Sequence, residues 1–201
     1  MKHFIKFLLN IKSPSKLIHE LEIEEDTELW HHAFIEHLAI ILKPKVYVEL
    51  GIHKCSVINR IIPHVEKAIG VDIDQNSGGF MKKTSKSFFV CSTTLEFAKQ
   101  LQNNPISIDL LFIDADHACE AVLDDINAYF PFVSSHGIIL IHDTHPKNIE
   151  SMASGFCNDS FKVVDKLARD INNLEFVTIP VHPGLTIVRK RKIQLSWMEI
   201  T

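Results

Sequence analysis

A chain of 201 residues that is 46% hydrophobic and 23% charged has the make-up of a globular protein with a sizeable core, which excludes a disordered or fibrous chain. A net charge of -4 removes any overall electrostatic reason to expect nucleic acid as a partner. The four cysteines, Cys55, Cys91, Cys119 and Cys157, are widely spaced with no C-x-x-C pair; this argues against a zinc site and a secreted disulfide framework and predicts a cytoplasmic protein.

The first twelve residues are basic and apolar, but Lys6 interrupts the apolar run and no small-residue cleavage site follows. A docking helix is expected there, not a signal peptide. No segment approaches the ~18 apolar residues that a membrane span requires. Residues 13–43 read as helical, with Ser13, Pro14 and Ser15 as start signals, Leu29, Phe34, Leu38 and Ile41 as the apolar face, and Pro44 as the stop. Residues 1–44 are therefore predicted to be an N-terminal helical extension, a lid or a homo-oligomer contact, and 45–201 the ligand-binding domain.

From Lys45 the pattern alternates. Short apolar runs at 46–50, 67–72, 87–91, 108–113 and 137–141 predict strands, and amphipathic stretches at 56–62, 94–103 and 118–130 predict helices between them. Strand alternating with helix implies right-handed βαβ units, hence an α/β, Rossmann-like, doubly wound and mostly parallel sheet. A helix is expected at 161–171. Two further strands, 174–179 and 185–189, are joined by Pro180 to Gly184, a connection short enough to predict an antiparallel C-terminal hairpin at the sheet edge.

Ligands of open parallel sheets bind outside the carboxyl ends of the strands, and two strand ends here carry acids and histidines. The run at 108–113 leads into Asp114, Asp116 and His117; the run at 137–141 leads into His142, Asp143 and His145. If those strands are neighbours, their backbones lie about 5 Å apart. Two carboxylates brought that close repel each other, and a divalent cation with oxygen ligands between them resolves the conflict; the plain alternative is a pair of solvent-facing loop acids. His117 carries a residue type suited to taking a hydroxyl proton near neutral pH. The chain has twelve histidines, so only position favours this one. At the first strand's end, Glu49 and Gly51 describe either a ligand loop or an ordinary turn. Asp72 stands where an acid reads ribose hydroxyls in nucleotide-binding α/β folds, with Asp74 as its rival and a turn-capping carboxylate as the plain reading. Ser92 borders an adenine site by position alone, and opens a helix equally well.

The motifs in order resemble the class I S-adenosylmethionine-dependent methyltransferases. VELGIHKCS at 48–56 is similar to their first loop, and IGVDID at 69–74 to their second strand with its ribose acid. The segments 114–117, 137–144 and 184–190 are similar to a small-molecule O-methyltransferase subfamily that includes metal-dependent macrolide-sugar methyltransferases and cephalosporin hydroxylase-like relatives. The resemblance covers about residues 45–190. It implies S-adenosyl-L-methionine held by Glu49, Gly51, Ser56, Asp72, Ile73, Cys91, Ser92 and Asp116. It further implies a Mg- or Mn-like divalent metal at Asp114, Asp143 and the position of His142, with Asp114 and His117 catalytic and His117 as general base. Asp116 would orient His117 or meet the cofactor's ammonium, and His145 is a spare ligand candidate.

Two departures matter. Cys55 stands where the family loop usually has a second glycine; that glycine serves a pyrophosphate, which S-adenosylmethionine lacks, so the change weighs against NAD. His142 stands where relatives often carry Glu or Asn, and an imidazole shifts preference toward Mn, Fe or Zn. The expected function is metal-assisted O-methylation of a small hydroxylated molecule, sugar- or natural-product-like. The alternatives are a metal-dependent hydrolase or oxygenase using the same cluster, and a non-catalytic cofactor-binding protein. A nucleic-acid methyltransferase is disfavoured by the acidic charge and the lack of an N-P-P-Y-like base-binding motif.

Overall fold

A continuous apolar run is buried on both faces only when helices cover both sides of its sheet, and the central strands here follow that rule. The computed structural model describes residues 29–170 and 174–190. The chain divides into two compact units, Met1–Trp30 and His31–Thr201. Of the first, only residues 29 and 30 are described, so the predicted docking helix and the first half of the 13–43 helix lie outside the described residues.

The second unit is a seven-stranded sheet in the order β3-β2-β1-β4-β5-β7-β6. Its strands are β1 (Val46–Leu50), β2 (Lys67–Asp72), β3 (Ser87–Cys91), β4 (Ile108–Ile113), β5 (Val133–His142), β6 (Leu174–Ile179) and β7 (Leu185–Lys190). β1 to β5 pair in parallel, while β7 runs antiparallel to both β5 and β6. The helices are α1 (Trp30–Leu42), α2 (Ile58–Ile61), α3 (Thr94–Asn103), α4 (Cys119–Tyr129) and α5 (Val163–Leu167). The predicted doubly wound sheet with its antiparallel hairpin is what forms.

One face of the sheet carries Val48, Leu50, Val71, Leu111, Ile113, Ile139 and Ile141, packed under Phe97, Leu101, Val122, Ile126, Tyr129 and Val163. Each such fully buried aliphatic side chain contributes about 1.5–3 kcal/mol. On the opposite face His31 of α1 lies against Phe112, ring centroids 6.2 Å apart, and Ile58 of α2 lies over Gly70. α3 starts where it does because Thr93 and Glu96 form a reciprocal capping box, a device that contributes about 1 kcal/mol.

Some expectations need correction. α1 does not bury Phe34, Leu38 and Ile41; its buried residues are His31, Ile35 and Ala39, and Ile41 is 75% exposed. The i, i+4, i+8 stripe that faces the sheet begins with a histidine, so a search for apolar residues misjudges the face. The 56–62 helix shortens to α2 followed by a 3-10 turn, Ile62–His64, because Pro63 has no N–H to continue an α-helical ladder. The 161–171 helix resolves into Ser160–Lys162, α5 and Ala168–Asp170, with only the middle piece α-helical. β5 starts at Val133, four residues earlier than its apolar run, with a register shift against β4 between Ile108 and Leu110. Among the described residues no helix is long and apolar enough to cross a membrane.

Candidate active site

The strand order reverses between β1 and β4, and above that switch point the strand ends open into a cleft of about 700 Å3. Its walls come from the loops after β1 (Gly51, His53), β2 (Asp72, Ile73), β3 (Ser92 to Leu95) and β4 (Asp114 to His117). The inner face of α4 (Ala121, Asp124, Asp125) and the segment with Ser154, Gly155 and Asn158 complete it.

Gly51 is where the first and fourth strand ends meet. Its φ is +82°, and a Cβ there would lie 2.6 Å from the Ala115 Cα and closer still to the Asp114 carbonyl oxygen. Leu50 and Ile113 are register partners, and the Asp114 N–H donates to the Leu50 carbonyl at 2.9 Å. The glycine thus answers first to close approach of the Asp114 backbone, within the structure itself.

Asp72 shapes the loop it was expected to face. Its Oδ2 accepts the N–H groups of Ile52 (3.1 Å) and His53 (2.9 Å), and its Oδ1 accepts that of Asp74 (2.8 Å), while the residue still lines the cleft. The turn-capping role belongs to Asp74, whose carboxylate accepts from the Asn76 N–H at the start of Gln75–Gly79. Cys55 adopts φ +60°, the conformation a glycine would favour, and its buried thiol donates to the Ser77 carbonyl at 3.3 Å. Burial, reinforced by the charges of Glu49 and Asp72, pushes this thiol's pKa up to about 12, so it stays protonated.

The other expected cofactor residues divide by place. Ile73, Ser92 and Asp116 line the cleft with Gly51 and Asp72. Glu49, Ser56 and Cys91 are not among its lining. Glu49 is buried on the sheet face, accepts the Tyr47 hydroxyl at 2.5 Å, and has its pKa raised well above the usual carboxylate range by burial. Ser56 is exposed, and so is Cys91, whose Sγ lies 3.7 Å from the Ile73 carbonyl.

At the end of the cleft the acids and histidines converge. Ile113 and Ile141 are register partners, so Asp114 and His142 leave β4 and β5 side by side. Asp143 would point to the opposite face by strand alternation, but its φ of +60° breaks the alternation and brings its carboxylate to the same place. His142 Nδ1 lies 3.0 Å from Asp114 Oδ1 and 3.2 Å from Asp143 Oδ2, and His117 Nδ1 lies 3.0 Å from Asp143 Oδ2. His117 Nε2 is 3.7 Å from Asp114 Oδ1. Burial alone would lower the His142 pKa; the charges of Asp114 and Asp143 outweigh it and push it to about 10. Burial would likewise raise Asp143, but His142 and His117 hold it at about 2. These approaches are charge contacts, not aligned hydrogen bonds: His142 Nδ1 and Asp143 Oδ2 are buried without a hydrogen-bond partner.

That geometry fits a divalent cation. Asp114, His117 and Asp143 each bring a ligand atom within 4.8 Å of the others, and ligands around an ion bonded at about 2.1 Å are about 3 Å apart. The two orphaned atoms lie 3.2 Å apart, the spacing of adjacent ligands on one ion. The donor set of two carboxylates with imidazole suits a Mn-like ion better than Mg. His145 lies outside the cluster; its N–H donates to the Pro183 carbonyl.

Three contributions escape sequence reasoning. Asp124 and Asp125 line the cleft, and with Ala121 at helical spacing the signal was present in the sequence. His31, 111 residues before His142, approaches the His142 Nε2 at 3.3 Å, and nothing local announces that contact. The Phe156 carbonyl accepts from His117 Nδ1.

Asp125 yields a stability prediction. Burial raises its pKa from 3.8 to about 6, against a hydrogen bond from the Thr94 side chain that lowers it, and the residue is 3% exposed. Between pH 4 and 6 the folded state therefore holds a proton that the unfolded state has released, so stability falls as pH rises through that window. Asp125→Asn should remove this loss, raising stability at pH 7 by roughly 1–3 kcal/mol and flattening the profile of Tm against pH. An unchanged profile would mean that the carboxylate is ionised at no cost.

Residues 48–144 match the family described as a methyltransferase domain. Over that span the chain is similar to methyltransferase domains. Uncharacterized protein R132 of Acanthamoeba polyphaga mimivirus is 26% identical over 129 residues, 56% of this chain and 58% of that one, so the match spans under two thirds of the viral relative. The O-methyltransferase of Bacillus cereus in complex with SAH superposes with a TM-score of 0.67 at 11% identity, over 92% of this chain and 96% of that one. MycE methyltransferase of the mycinamycin biosynthetic pathway, in complex with Mg, SAH and mycinamycin VI, gives 0.60 at 15% identity, over 80% of this chain and 49% of that one. At these identities the likeness to the methyltransferase structures is one of fold.

Proposed function

We propose that the chain is a metal-assisted O-methyltransferase that methylates a hydroxyl of a small molecule, sugar- or natural-product-like. The observation that carries this reading is the joining of two sites at one point: the cleft suited to the cofactor and the acid-imidazole cluster share Asp114, whose backbone packs on Gly51. Gly51, Asp72, Ile73, Ser92 and Asp116 hold S-adenosylmethionine from the cleft wall, with Asp72 also fixing the first loop. That cofactor supplies a methyl group on a reactive sulfonium. Asp114, Asp143 and His142 hold the divalent cation, which supplies a charge that favours ionisation of a nearby hydroxyl.

His117 takes the proton. Its Nδ1 is bonded to the Phe156 carbonyl, and a carbonyl only accepts, so Nδ1 carries the ring's hydrogen. Nε2 is left with the lone pair, on the side of Asp114. A methyl donor already this reactive needs positioning and electrostatic complementarity more than further activation, which rigid strand ends provide. That MycE, on a similar fold, is resolved in complex with Mg, SAH and mycinamycin VI supports a small-molecule partner and a metal here.

Calorimetry tests the reading. S-adenosylmethionine or SAH should bind the wild-type chain, and Asp72→Ala should weaken binding by about 10- to 100-fold, the size of losing hydrogen bonds to a charged acceptor. Absence of heat with the wild type, alongside clear binding of NAD, would overturn it.

A further inference from the structure

His142 is gripped from behind by α1. His31 is 3% exposed, its ring centroid is 4.1 Å from that of His142, and Phe112 adjoins both rings, edge-on to His142 at 5.9 Å and 6.2 Å from His31. The two imidazoles approach nitrogen to nitrogen, His142 Nε2 to His31 Nδ1, at 3.3 Å. A hydrogen bond between two nitrogens requires one N–H and one lone pair, so the proton's location on this pair fixes what the far side of His142 can do.

If His31 donates, His142 Nε2 must be the lone pair, and the only proton of a neutral His142 sits on Nδ1. That nitrogen then presents a donor to Asp114 and Asp143 and no lone pair to a cation. If His142 donates, Nδ1 is available to the gap between the two carboxylates, 3.0 and 3.2 Å away. Metal-ligating histidines ordinarily donate their other ring N–H to an acceptor that fixes tautomer and ring orientation.

We propose that His31 is a positioning residue whose Nδ1 accepts the Nε2–H of His142, turning the Nδ1 lone pair of His142 into the cation site. The inference rests on the metal reading of the cluster. It gives the helix that precedes the sheet a part in the site: α1 enters with a histidine on its buried stripe because that stripe abuts a ligand, not only a core. His31 touches neither cofactor nor acceptor and acts through His142.

The test is Mn2+ binding by the full chain, followed by electron paramagnetic resonance, in wild type, His31→Phe and His31→Asn. Phenylalanine keeps a ring without an acceptor, whereas the asparagine Oδ1 falls where Nδ1 was. His31→Phe should weaken Mn2+ by about 10- to 100-fold and His31→Asn by no more than about threefold, the range expected for an outer-shell partner. Wild-type affinity in His31→Phe, or equal weakening in both variants, would overturn the inference, the second outcome marking a packing role. Imidazole nitrogen NMR of the wild type gives an answer that no misfolded variant can spoil: His31 Nδ1 should be unprotonated and His142 Nε2 protonated, and the reverse would also overturn it. A wild type that takes up no Mn2+ sinks the metal reading instead, while the nitrogen shifts still decide which histidine donates.

Discussion

Replacing His117 with alanine is expected to lower turnover by about 10²- to 10⁴-fold while leaving cofactor affinity near that of wild type. The expectation follows from a division of labour on one ring. Nδ1 is committed to the Phe156 carbonyl and lies 3.0 Å from Asp143, so it is not the basic nitrogen; Nε2 is, and it is 3.7 Å from Asp114. The loss should appear in kcat, because removing a base touches the reacting hydroxyl more than its binding. His117 also belongs to the group able to hold a cation, so metal content must be measured on the same sample. Reduced turnover with full metal content identifies the base. Wild-type turnover across the pH range would remove His117 from the mechanism and leave hydroxyl activation to the cation alone.

Asp143→Ala should lower metal affinity by at least about 100-fold, beyond what loss of an outer-shell partner costs, and turnover with it. Cofactor affinity should survive, because Asp143 is not part of the cleft wall that Asp72 and Gly51 form. Asp143→Asn is the useful control, since asparagine tolerates the left-handed φ of +60° that alanine resists. Elemental analysis and turnover in chelator read both variants. Full activity of the wild type in chelator would show that the two acids serve something other than a metal.

The central strands were legible because burial on both faces leaves uninterrupted apolar runs: β1, β2 and β4 fall on the predicted residues, as do the more exposed β3 and β6 and the helix α3. β5 was truncated in prediction since Ser134, Ser135 and His136 interrupt its apolar pattern where its register with β4 shifts. In the site, the meeting of Asp114 with Asp143 was foreseeable from two strand ends and a parallel sheet. The identity of what meets them from elsewhere was not. His31 was hidden by the assumption that a helix buries its apolar residues, and the Phe156 carbonyl because backbone atoms carry no sequence signature. Gly51 was singled out as a ligand-loop glycine, but the reason the structure gives for it, contact with the Asp114 backbone, requires knowing that β4 inserts beside β1.

The family match ends at residue 144, one residue past the last acid of the cluster, yet the chain is not divisible there. β7 pairs with the whole upper half of β5, from Ile138 to His142, and the turn that leads into it lies on the backbone just beyond Asp143. Gly184, at φ +100°, packs so tightly that a Cβ would be 2.7 Å from the His145 Cα, and the Pro183 carbonyl accepts the His145 N–H. A fragment cut between residue 144 and Leu174 would leave β5 as a bare edge, its unpaired backbone open to other chains, and would free the loop that holds Asp143. The hairpin through Lys190 thus lines no part of the cleft yet braces the strand and the turn from which His142 and Asp143 project.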